Sequence, residues 1–354
     1  MSPNPVVRFF RRGAGRLKRL RHFIDKDAFH PAPRNLSLLR RGFCSFRAGL
    51  YPFDRYDWRW FLSDYAVYTH CERINPPLVV AQMTDKLYFH LLVRQFGLGH
   101  LLAPLIGTVV DGRFTGFGGP PTLRAALDQA GVAIVKPIAG SGGVGIEIVD
   151  TAEAVPARGA FLLEGVMKPH AYGAAIFPGS VNTIRIMTLR PHPDAAPFIV
   201  GAGHRFGVSA SAPVDNFSSG GIVAGIELET GILTAARSAV GQFSTTVHPH
   251  HPDTGAGIEG VAIPQWGEVR ALALDLAERI AGLKVAGWDI CLTPEGPRLI
   301  EGNGSCPHPE LLQIHRPILL QPQVRTFYAE HGVISRGRLR FLDDLARSAT
   351  PASP

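Results

Sequence analysis

Apolar and polar residues follow one another in patterns that predict helices together with mostly antiparallel strands. Residues 84–97 carry apolar side chains at 87, 88, 91, 92 and 96, after a capping Thr84 and before a glycine, and predict a helix. A second helix is predicted over 268–281. Strands are predicted over 105–110, 133–136, 145–149, 161–166, 182–189, 196–207 and 220–231. This mixture is typical of the α+β class.

A predicted hairpin at residues 285–303 brings three polar side chains together. Its turn is Thr293-Pro-Glu-Gly296, in which proline fixes φ and glycine tolerates a positive φ. If the hairpin is centred on Glu295, Asp289 lies opposite Glu301. Asn303 shares the face of Glu301, because side chains alternate along a strand. The opposite face then carries apolar residues, namely Trp288, Ile290, Leu292 and Ile300.

Two facing carboxylates repel each other, which predicts a positive charge between Asp289 and Glu301. Together with Asn303 they offer three oxygen ligands, which suit a hard cation, Mg²⁺ or Mn²⁺. Mg²⁺ completes its coordination with water and substrate phosphates. The alternative is a solvated hairpin edge with acidic residues. The apolar opposite face indicates a core hairpin and favours the metal site.

Composition allows a large core. The chain has 354 residues, of which 45% are hydrophobic, and is long enough for two or three domains. No apolar run is long enough to span a membrane, and no signal peptide is recognised at the N-terminus. The four cysteines show no paired spacing. We therefore expect reduced thiols and a cytoplasmic protein.

The net charge of +7 is concentrated at one end of the chain. Residues 1–41 contain eleven Lys or Arg and two Asp, a net charge of +9, whereas the remainder has a net charge of −2. The segment VVRFFRRGAGRLKRLRHFIDK (6–26) predicts contact with anionic lipid at the inner face of a membrane. A packing helix with a solvated basic face is an equal alternative. Nucleic acid is not expected, because no groove-reading motif accompanies the segment.

A glycine-rich loop follows a predicted strand in VKPIAGSGGVGI (135–146). Backbone amides of such a loop can surround phosphate oxygens, although a plain hairpin is the commoner structure. Lys136 precedes the loop and favours a polyphosphate site. Lys86, in the first turn of the predicted 84–97 helix, opposes the helix dipole and is a second candidate.

Polar residues in the strand-rich half are less specific. Arg185 and Arg205 lie among apolar neighbours in predicted strands, where an unpaired charge is costly, so each can be paired with an acid such as Asp215. The loop VDNFSSGG (214–221) can orient a substrate or form an Asx turn with its own backbone. HPHHPD (248–253) lacks zinc-ligand spacing and predicts a surface loop.

These separated motifs resemble one family. A DK helix start, a VKP strand with a Ser/Gly-rich loop, LLEG, and D…E-x-N on a late hairpin occur in the order found in ATP-grasp enzymes. GSVNTIRIMTL, PVDNFSSGGIVAGIELETG and VAGWDI…GPRLIEGN resemble the branch associated with sugar transfer, which is related to α-L-glutamate ligases. The resemblance covers roughly residues 75–330. It implies an ATP-grasp fold, in which two α+β subdomains clasp ATP, after a helical N-terminal region.

The resemblance implies roles for individual residues. Those expected to bind ATP are Lys86, Lys136, Ser141, Gly142, Gly143, Glu164, Gly165, Val166 and His170. Asp289, Glu301 and Asn303 would hold the metal, and the substrate would contact Asn182, Asp215, Asn216 and Ser218. For His170 a structural role is an equal alternative. Several relatives place an arginine two residues before the first metal carboxylate, where this chain has Gly287, so Arg185 or Arg205 is expected to stabilise the transferred phosphoryl group.

The implied activity is that of an ATP-dependent carboxylate–amine ligase in surface-polysaccharide or related conjugate synthesis. Its partners would be ATP, a small acidic or sugar-linked carboxylate, and an amine. A kinase-like phosphotransferase and a non-catalytic ATP-binding scaffold remain alternatives, since both would use the same nucleotide site. The expected organisation is a basic arm (1–34), a helical region (35–100), two ATP-grasp subdomains (101–170 and 171–333) and a tail (334–354), disordered after about residue 343.

Overall fold

The structure is a computed structural model that describes residues 17–28, 33–140, 143–240, 244–305 and 307–349. Its helices are 17–28 (α1), Leu36–Arg40 (α2), Arg47–Leu50 (α3), Asp64–His70 (α4), Pro77–Thr84 (α5), Lys86–Gln95 (α6), Leu123–Ala130 (α7), Ala171–Ile176 (α8), Trp266–Arg279 (α9), Pro309–Gln313 (α10), Pro322–Glu330 (α11) and Arg336–Ala349 (α12). None of the helices within these ranges is long and apolar enough to cross a membrane.

The strands are Leu105–Val110 (β1), Arg113–Gly116 (β2), Ala133–Pro137 (β3), Glu147–Val149 (β4), Ala160–Gly165 (β5), Ile184–Leu189 (β6), Phe198–Phe206 (β7), Ile222–Ile226 (β8), Leu233–Val240 (β9), Ser244–His248 (β10), Val285–Thr293 (β11) and Gly296–Asn303 (β12). The α+β prediction is confirmed. The sequence does not predict β9, whose LTAARSAV is rich in alanine and has a low strand preference, nor the short β10.

The chain divides into two compact units. The terminal unit consists of Met1–Ile74, Ala239–Thr246 and His308–Pro354, and the central unit of Asn75–Ser238 and Val247–Pro307. The finer sequence-based division into five segments stays a prediction.

The central unit contains a five-stranded sheet of order β2-β1-β5-β3-β4. Helix α7 covers one face of this sheet, where Leu127 packs with Val109, Val135 and Leu163. A second sheet has the order β10-β9-β8-β7-β6-β11-β12, and β6 to β9, β11 and β12 pair in antiparallel register. Helix α9 packs on this sheet through its apolar face, which holds Val269, Leu272, Ala273 and Leu276.

Helix α6 differs from its prediction at its start and in its buried face. Asp85 caps it by accepting a hydrogen bond from the Tyr88 amide at 2.9 Å, whereas the predicted cap, Thr84, is the last residue of α5. The buried residues of α6 are Phe89, His90 and Val93. Two predicted apolar positions are instead largely exposed: Tyr88 and Leu91. Apolar residues surround most of this helix, so periodicity alone does not select the face that packs.

The terminal unit has its own aromatic core and a longer ordered end than predicted. The core rings of Phe43, Tyr51, Phe53 and Phe61 contact one another edge-on or stacked. Helix α12 includes residues 343–349, where disorder was expected, so that expectation is wrong as far as residue 349. Leu342 is fully buried, and Leu339 and Leu345 are half-buried one turn to each side.

Candidate active site

Strands β11 and β12 form the hairpin that was expected to hold a metal. Its turn has two residues, Pro294 and Glu295. Regular pairing from this turn would put Asp289 opposite Ile300, but a bulge in β12 shifts the register, and Asp289 pairs with Glu301. The predicted Asp289–Glu301 pairing is therefore confirmed, although the turn is centred half a residue away from the expected position.

The register beside the turn decides which residue of β12 enters the core. Leu299 is 1% exposed and belongs to the apolar cluster that includes Trp288 and Ile290, whereas Ile300 is half-buried. The prediction that Ile300 fills the core is wrong. The two-residue turn pairs Ile290 with Leu299 rather than with Ile300, and residues directly opposite each other share one face of the sheet.

The positive charge predicted beside Asp289 comes from arginines. Arg185 lies directly opposite on β6 and donates from Nε to Oδ1 at 2.5 Å and from Nη2 to Oδ2 at 2.9 Å. Burial alone would raise the pKa of Asp289, but Arg185 and Arg205 hold that pKa well below its usual range. Both carboxylate oxygens of Asp289 are therefore engaged by cations.

Arg205, on β7, is bound less tightly. Its Nη2 lies 3.3 Å from Asp289 Oδ2 and 3.4 Å from Asp215 Oδ1, and its Nε is buried without a hydrogen-bond partner among the described residues. Asp215 is more firmly held by Thr183, whose amide and hydroxyl both donate to Oδ2 at 2.6 Å. The guanidinium of Arg205 thus retains a donor that can bind an anion.

Glu301 and Asn303 are the two members of the expected metal set that remain accessible. Both are half-buried, and Asn303 Nδ2 donates to Glu301 Oε1 at 3.3 Å, which leaves the amide oxygen as an acceptor. A carboxylate and an amide oxygen side by side suit Mg²⁺, whose other ligands are water and phosphate. Asp289 fits such a site only if it gives up arginine contacts. No group of three His, Cys, Asp or Glu side chains in the described ranges could hold a metal by itself.

Lys136, which lies just before the glycine-rich loop, forms an ion pair with the buried Glu164. Its Nζ lies 2.6 Å from Glu164 Oε2, and His90 Nδ1 lies 3.5 Å from the other oxygen, Oε1. Burial alone would raise the pKa of Glu164, but Lys136 and His90 lower it. His90 was not among the predicted site residues. The signal that could have identified it is its position between Phe89 and Val93, which form the buried face of α6 with it.

Lys86 connects the start of α6 to the glycine-rich loop. Its Nζ donates to the Gly140 carbonyl at 2.6 Å, and its amide donates to the Ile138 carbonyl at 3.0 Å. Burial lowers the pKa of Lys86, Glu301 opposes that shift, and Lys136 adds to it. The two expected phosphate-binding lysines and an expected metal ligand therefore interact electrostatically.

The glycine-rich loop itself is described on both sides of its centre. Gly143 has φ +78°, and a Cβ placed on it would lie 3.3 Å from Val214, so this glycine permits a close approach to the 214–221 loop. Gly140 and Gly145 also have positive φ values. The other two expected phosphate contacts, Ser141 and Gly142, lie outside the described residues.

The residues expected around adenine lie on and after β5. Gly165 ends β5 and donates its amide to the Pro104 carbonyl, and Val166 is 47% exposed. His170 caps α8, with Nδ1 accepting from the Tyr172 amide at 3.0 Å. His170 therefore performs the structural role that was its alternative, and Glu164 points its charge to Lys136.

Four residues were expected to contact substrate. Asn182 is 2% exposed, and its Nδ2 donates to the carbonyls of Gly173 and Phe177, so it ties two backbone segments together. Asp215 pairs with Thr183 as described. Asn216 is half-buried and Ser218 is exposed, so these two side chains retain access to solvent and to a bound molecule.

Taken together, the central unit brings oxygen ligands, two lysines and two arginines to one end of its hairpin. Lysines and arginines stabilise phosphate oxygens and developing negative charge, and oxygen ligands hold a divalent cation. This combination suits phosphoryl transfer to an anionic acceptor.

Residues 153–326 match the family model described as sugar-transfer associated ATP-grasp. The family resemblance drawn from the motifs is thereby confirmed. No curated protein matches the chain.

Several solved structures are similar to this chain at low identity. N5-carboxyaminoimidazole ribonucleotide synthetase of Thermotoga maritima is 12% identical, over 65% of this chain and 44% of its own, with a TM-score of 0.37. D-alanine–D-alanine ligase of Bacillus anthracis is 15% identical, over 73% and 71%, with a TM-score of 0.41. Biotin carboxylase of Campylobacter jejuni is 12% identical, over 73% and 48%, with a TM-score of 0.43. The chain spans less than half the length of the first and third of these proteins, and similarity at this level does not indicate a shared activity.

Proposed function

Since residues 153–326 match the sugar-transfer associated ATP-grasp family model, we propose that this chain is an ATP- and Mg²⁺-dependent carboxylate–amine ligase. The observation that carries the proposal is geometric: Lys86 donates to the Gly140 carbonyl of the glycine-rich loop at 2.6 Å, and Lys136, just before that loop, is fixed by Glu164 at 2.6 Å. The charge of Glu301 counters the lowered pKa of Lys86, which agrees with a nearby acidic ligand. Cations for a polyphosphate and an oxygen ligand for a divalent ion thereby share one site. A binding protein for a neutral ligand would not need this arrangement.

In the proposed reaction a carboxylate oxygen of the substrate attacks the γ-phosphorus of ATP, and ADP leaves with the bridging oxygen. The amine then attacks the carbonyl carbon of the resulting acyl phosphate. Inorganic phosphate leaves, and the nitrogen loses a proton as the amide forms. Each step moves negative charge onto oxygen atoms, so fixed cations lower both barriers.

The residues of this chain divide that work. Lys86 and Lys136 bind the nucleotide phosphates, and Glu164 with His90 orients Lys136. Glu301 and Asn303 would hold Mg²⁺, which neutralises phosphate charge when bound. Arg205 stabilises the transferred phosphoryl group through its unpaired donor.

The remaining residues close and orient the site. Ser141, Gly142 and Gly143 close over the phosphates, and Gly165 and Val166 border the adenine. Arg185 orients Asp289, which in turn keeps Arg205 beside the reacting oxygens. Asn216 and Ser218 face the second substrate.

The substrate class follows from the family and from the charge of the site. The family is described as sugar-transfer associated, and an arginine with a free donor suits an anionic acceptor. We therefore propose a uronic acid or another sugar-linked carboxylate, joined to an amine, in polysaccharide or conjugate synthesis. Cys44 and Cys291 are free and buried, which agrees with a proposed cytoplasmic location near the inner membrane face.

The test is ADP release with Mg-ATP across a panel of uronic acids, amino acids and sugar nucleotides, in the presence of hydroxylamine. Hydroxylamine converts an activated acyl group into a hydroxamate. We expect equal amounts of ADP and hydroxamate with one acid, and loss of both in Glu301→Ala. The matched control is Glu295→Ala, which removes an exposed carboxylate from the turn of the same hairpin and should keep activity.

Other outcomes separate the alternatives. ADP without hydroxamate for every acid would indicate a kinase-like phosphotransferase. Intact Mg-dependent ATP binding without any turnover, also with lipid-linked sugars, would indicate a scaffold. Either result would overturn the ligase proposal.

A further inference from the structure

Helix α1 presents an apolar stripe to solvent. Leu17 is 70% exposed, and Leu20 and Ile24 are each 45% exposed. Their spacing of three and four residues puts all three side chains on one side of the helix. Exposed large apolar residues usually occur singly, so three of them in a row on a charged helix indicate a surface that binds a partner.

Two residues next to the stripe, Phe23 and Asp27, fix α1 within the terminal unit, so the stripe cannot turn inward. Phe23 is 3% exposed, and its ring meets Tyr65 edge-on with centroids 5.9 Å apart. Asp27 is 5% exposed and accepts from the Ser45 amide at 2.5 Å and from the Ser45 hydroxyl at 3.1 Å. Packing and hydrogen bonds thus hold the stripe outward.

Exposed basic side chains lie on the same helix, with Arg21 next to the stripe and the others farther round. Lys18, Arg21 and Lys26 are exposed, and the exposed acid of the helix, Asp25, lies 3.7 Å from Arg21. The sequence immediately before α1 adds further positive charge, with Arg8, Arg11, Arg12 and Arg16. Residues 1–41 carry a net charge of +9 on a chain whose remainder is slightly acidic.

We infer that this face of α1 docks on the surface of an anionic phospholipid bilayer. Leu17, Leu20 and Ile24 enter the boundary between headgroups and acyl chains, and the basic side chains contact lipid phosphates. Exposed apolar residues together with exposed cationic residues on the same helix match the two components of such a surface. This inference rests on the proposed location near a membrane and is independent of the ligase chemistry.

The test is sedimentation of the full chain with vesicles of phosphatidylcholine, alone or mixed equally with phosphatidylserine. We expect binding to the mixed vesicles only, and weakening by added salt. The triple variant Leu17→Ser/Leu20→Ser/Ile24→Ser should partition about a hundredfold less. The matched control is Leu78→Ser, since Leu78 is 70% exposed on a helix of the central unit, and it should bind like the unchanged chain.

Three results would overturn the inference: no binding of the unchanged chain to mixed vesicles, full binding of the triple variant, or equal loss in the Leu78→Ser control. A change of oligomeric state in the triple variant with vesicle binding intact would assign the stripe to a second copy instead. Far-ultraviolet circular dichroism checks the fold of each variant. ATP turnover in solution, measured separately, tells failure of the ligase proposal from failure of this one.

Discussion

Two buried arginine–aspartate clusters differ in whether every hydrogen-bond donor that surrounds the aspartate is used. In the terminal unit, Arg47 donates to Asp64 Oδ1 from Nε at 2.9 Å and from Nη2 at 2.7 Å. The second oxygen of Asp64 accepts from the Cys44 amide at 2.9 Å, and the guanidinium lies over the rings of Phe46 and Tyr51. Both oxygens of Asp64 and the planar face of the Arg47 guanidinium therefore have partners within the terminal unit.

In the central unit, Asp289 binds Arg185 at comparable distances but also receives Arg205. The contacts of Arg205 are long, and its buried Nε has no partner among the described residues. A buried donor without a partner costs roughly 1–3 kcal/mol. Binding of an anion would recover that cost, which supports the role proposed for Arg205, whereas the closed pair of Arg47 and Asp64 contributes to stability alone.

The largest effect is expected from removing Arg47 from its ion pair with Asp64. Arg47→Met leaves Asp64 charged and buried, and the free energy of unfolding should fall by about 3–5 kcal/mol. Turnover per folded molecule should stay unchanged. Urea denaturation and activity assays on the same samples measure both quantities. Arg124→Met, which removes a largely exposed ion pair with Glu153, is the control and should change little; a loss of turnover in Arg47→Met without a loss of stability would contradict the comparison.

The next effect is expected from the open arrangement. Arg205→Lys keeps a positive charge but removes the unpaired Nε, and kcat should fall about 10²–10³-fold. The free energy of unfolding should change much less than in Arg47→Met. Steady-state kinetics and urea denaturation give the two values, and Arg270→Lys, at a partly exposed position on α9, serves as control. A stability loss as large as that of Arg47→Met, with kcat unchanged, would make Arg205 structural.

A smaller effect is expected where an acid orients a lysine. Glu164→Gln weakens the hold on Lys136, and the Kd for Mg-ATP should rise about tenfold. Isothermal titration calorimetry measures that Kd directly. Glu147→Gln, at an exposed position on β4, should bind like the unchanged chain. Unaltered affinity in Glu164→Gln would show that Lys136 needs no orienting acid.

The smallest effect is expected from changing the pH near neutrality, where the contribution of the Asp289 carboxylate to the free energy of unfolding stays constant. The pKa of its carboxyl is depressed in the folded state, so its stabilisation is present above the unfolded pKa of about 3.9 and is lost as pH falls through the lower folded pKa. We expect this contribution to be constant between about pH 5 and pH 8 and to decline only below about pH 4. Urea denaturation across this range should give a shallower acid decline for Asp289→Asn; an identical decline would place the linkage elsewhere.

The hairpin shows how far sequence reasoning reaches. Turn chemistry and alternation correctly pair Asp289 with Glu301, but only because the error in the turn position and the unpredicted bulge cancel each other. The turn is centred half a residue earlier than assumed, and a bulge restores the pair. The misplaced turn centre also assigned Ile300, rather than Leu299, to the core, and the bulge itself has no strong sequence signature.

The arginines and His90 show what sequence reasoning could not reach. Arg185 and Asp289 are 104 residues apart, and their contact depends on β6 lying beside β11. His90 meets Glu164 only because α6 buries a different face from the one expected. The pattern of neighbouring residues does not reveal contacts between side chains that are far apart in the sequence.

The sequence by itself determined the α+β class, the order of most strands and helices, the hairpin and the family motifs. These follow from periodicity and turn chemistry over a few residues, which are local properties of the chain. Only the tertiary structure decided that Asp289 is engaged by two arginines, that Arg205 keeps a free donor, and that the stripe on α1 faces outward. Those features depend on burial and on neighbours distant in sequence, and only the packing of whole elements establishes them.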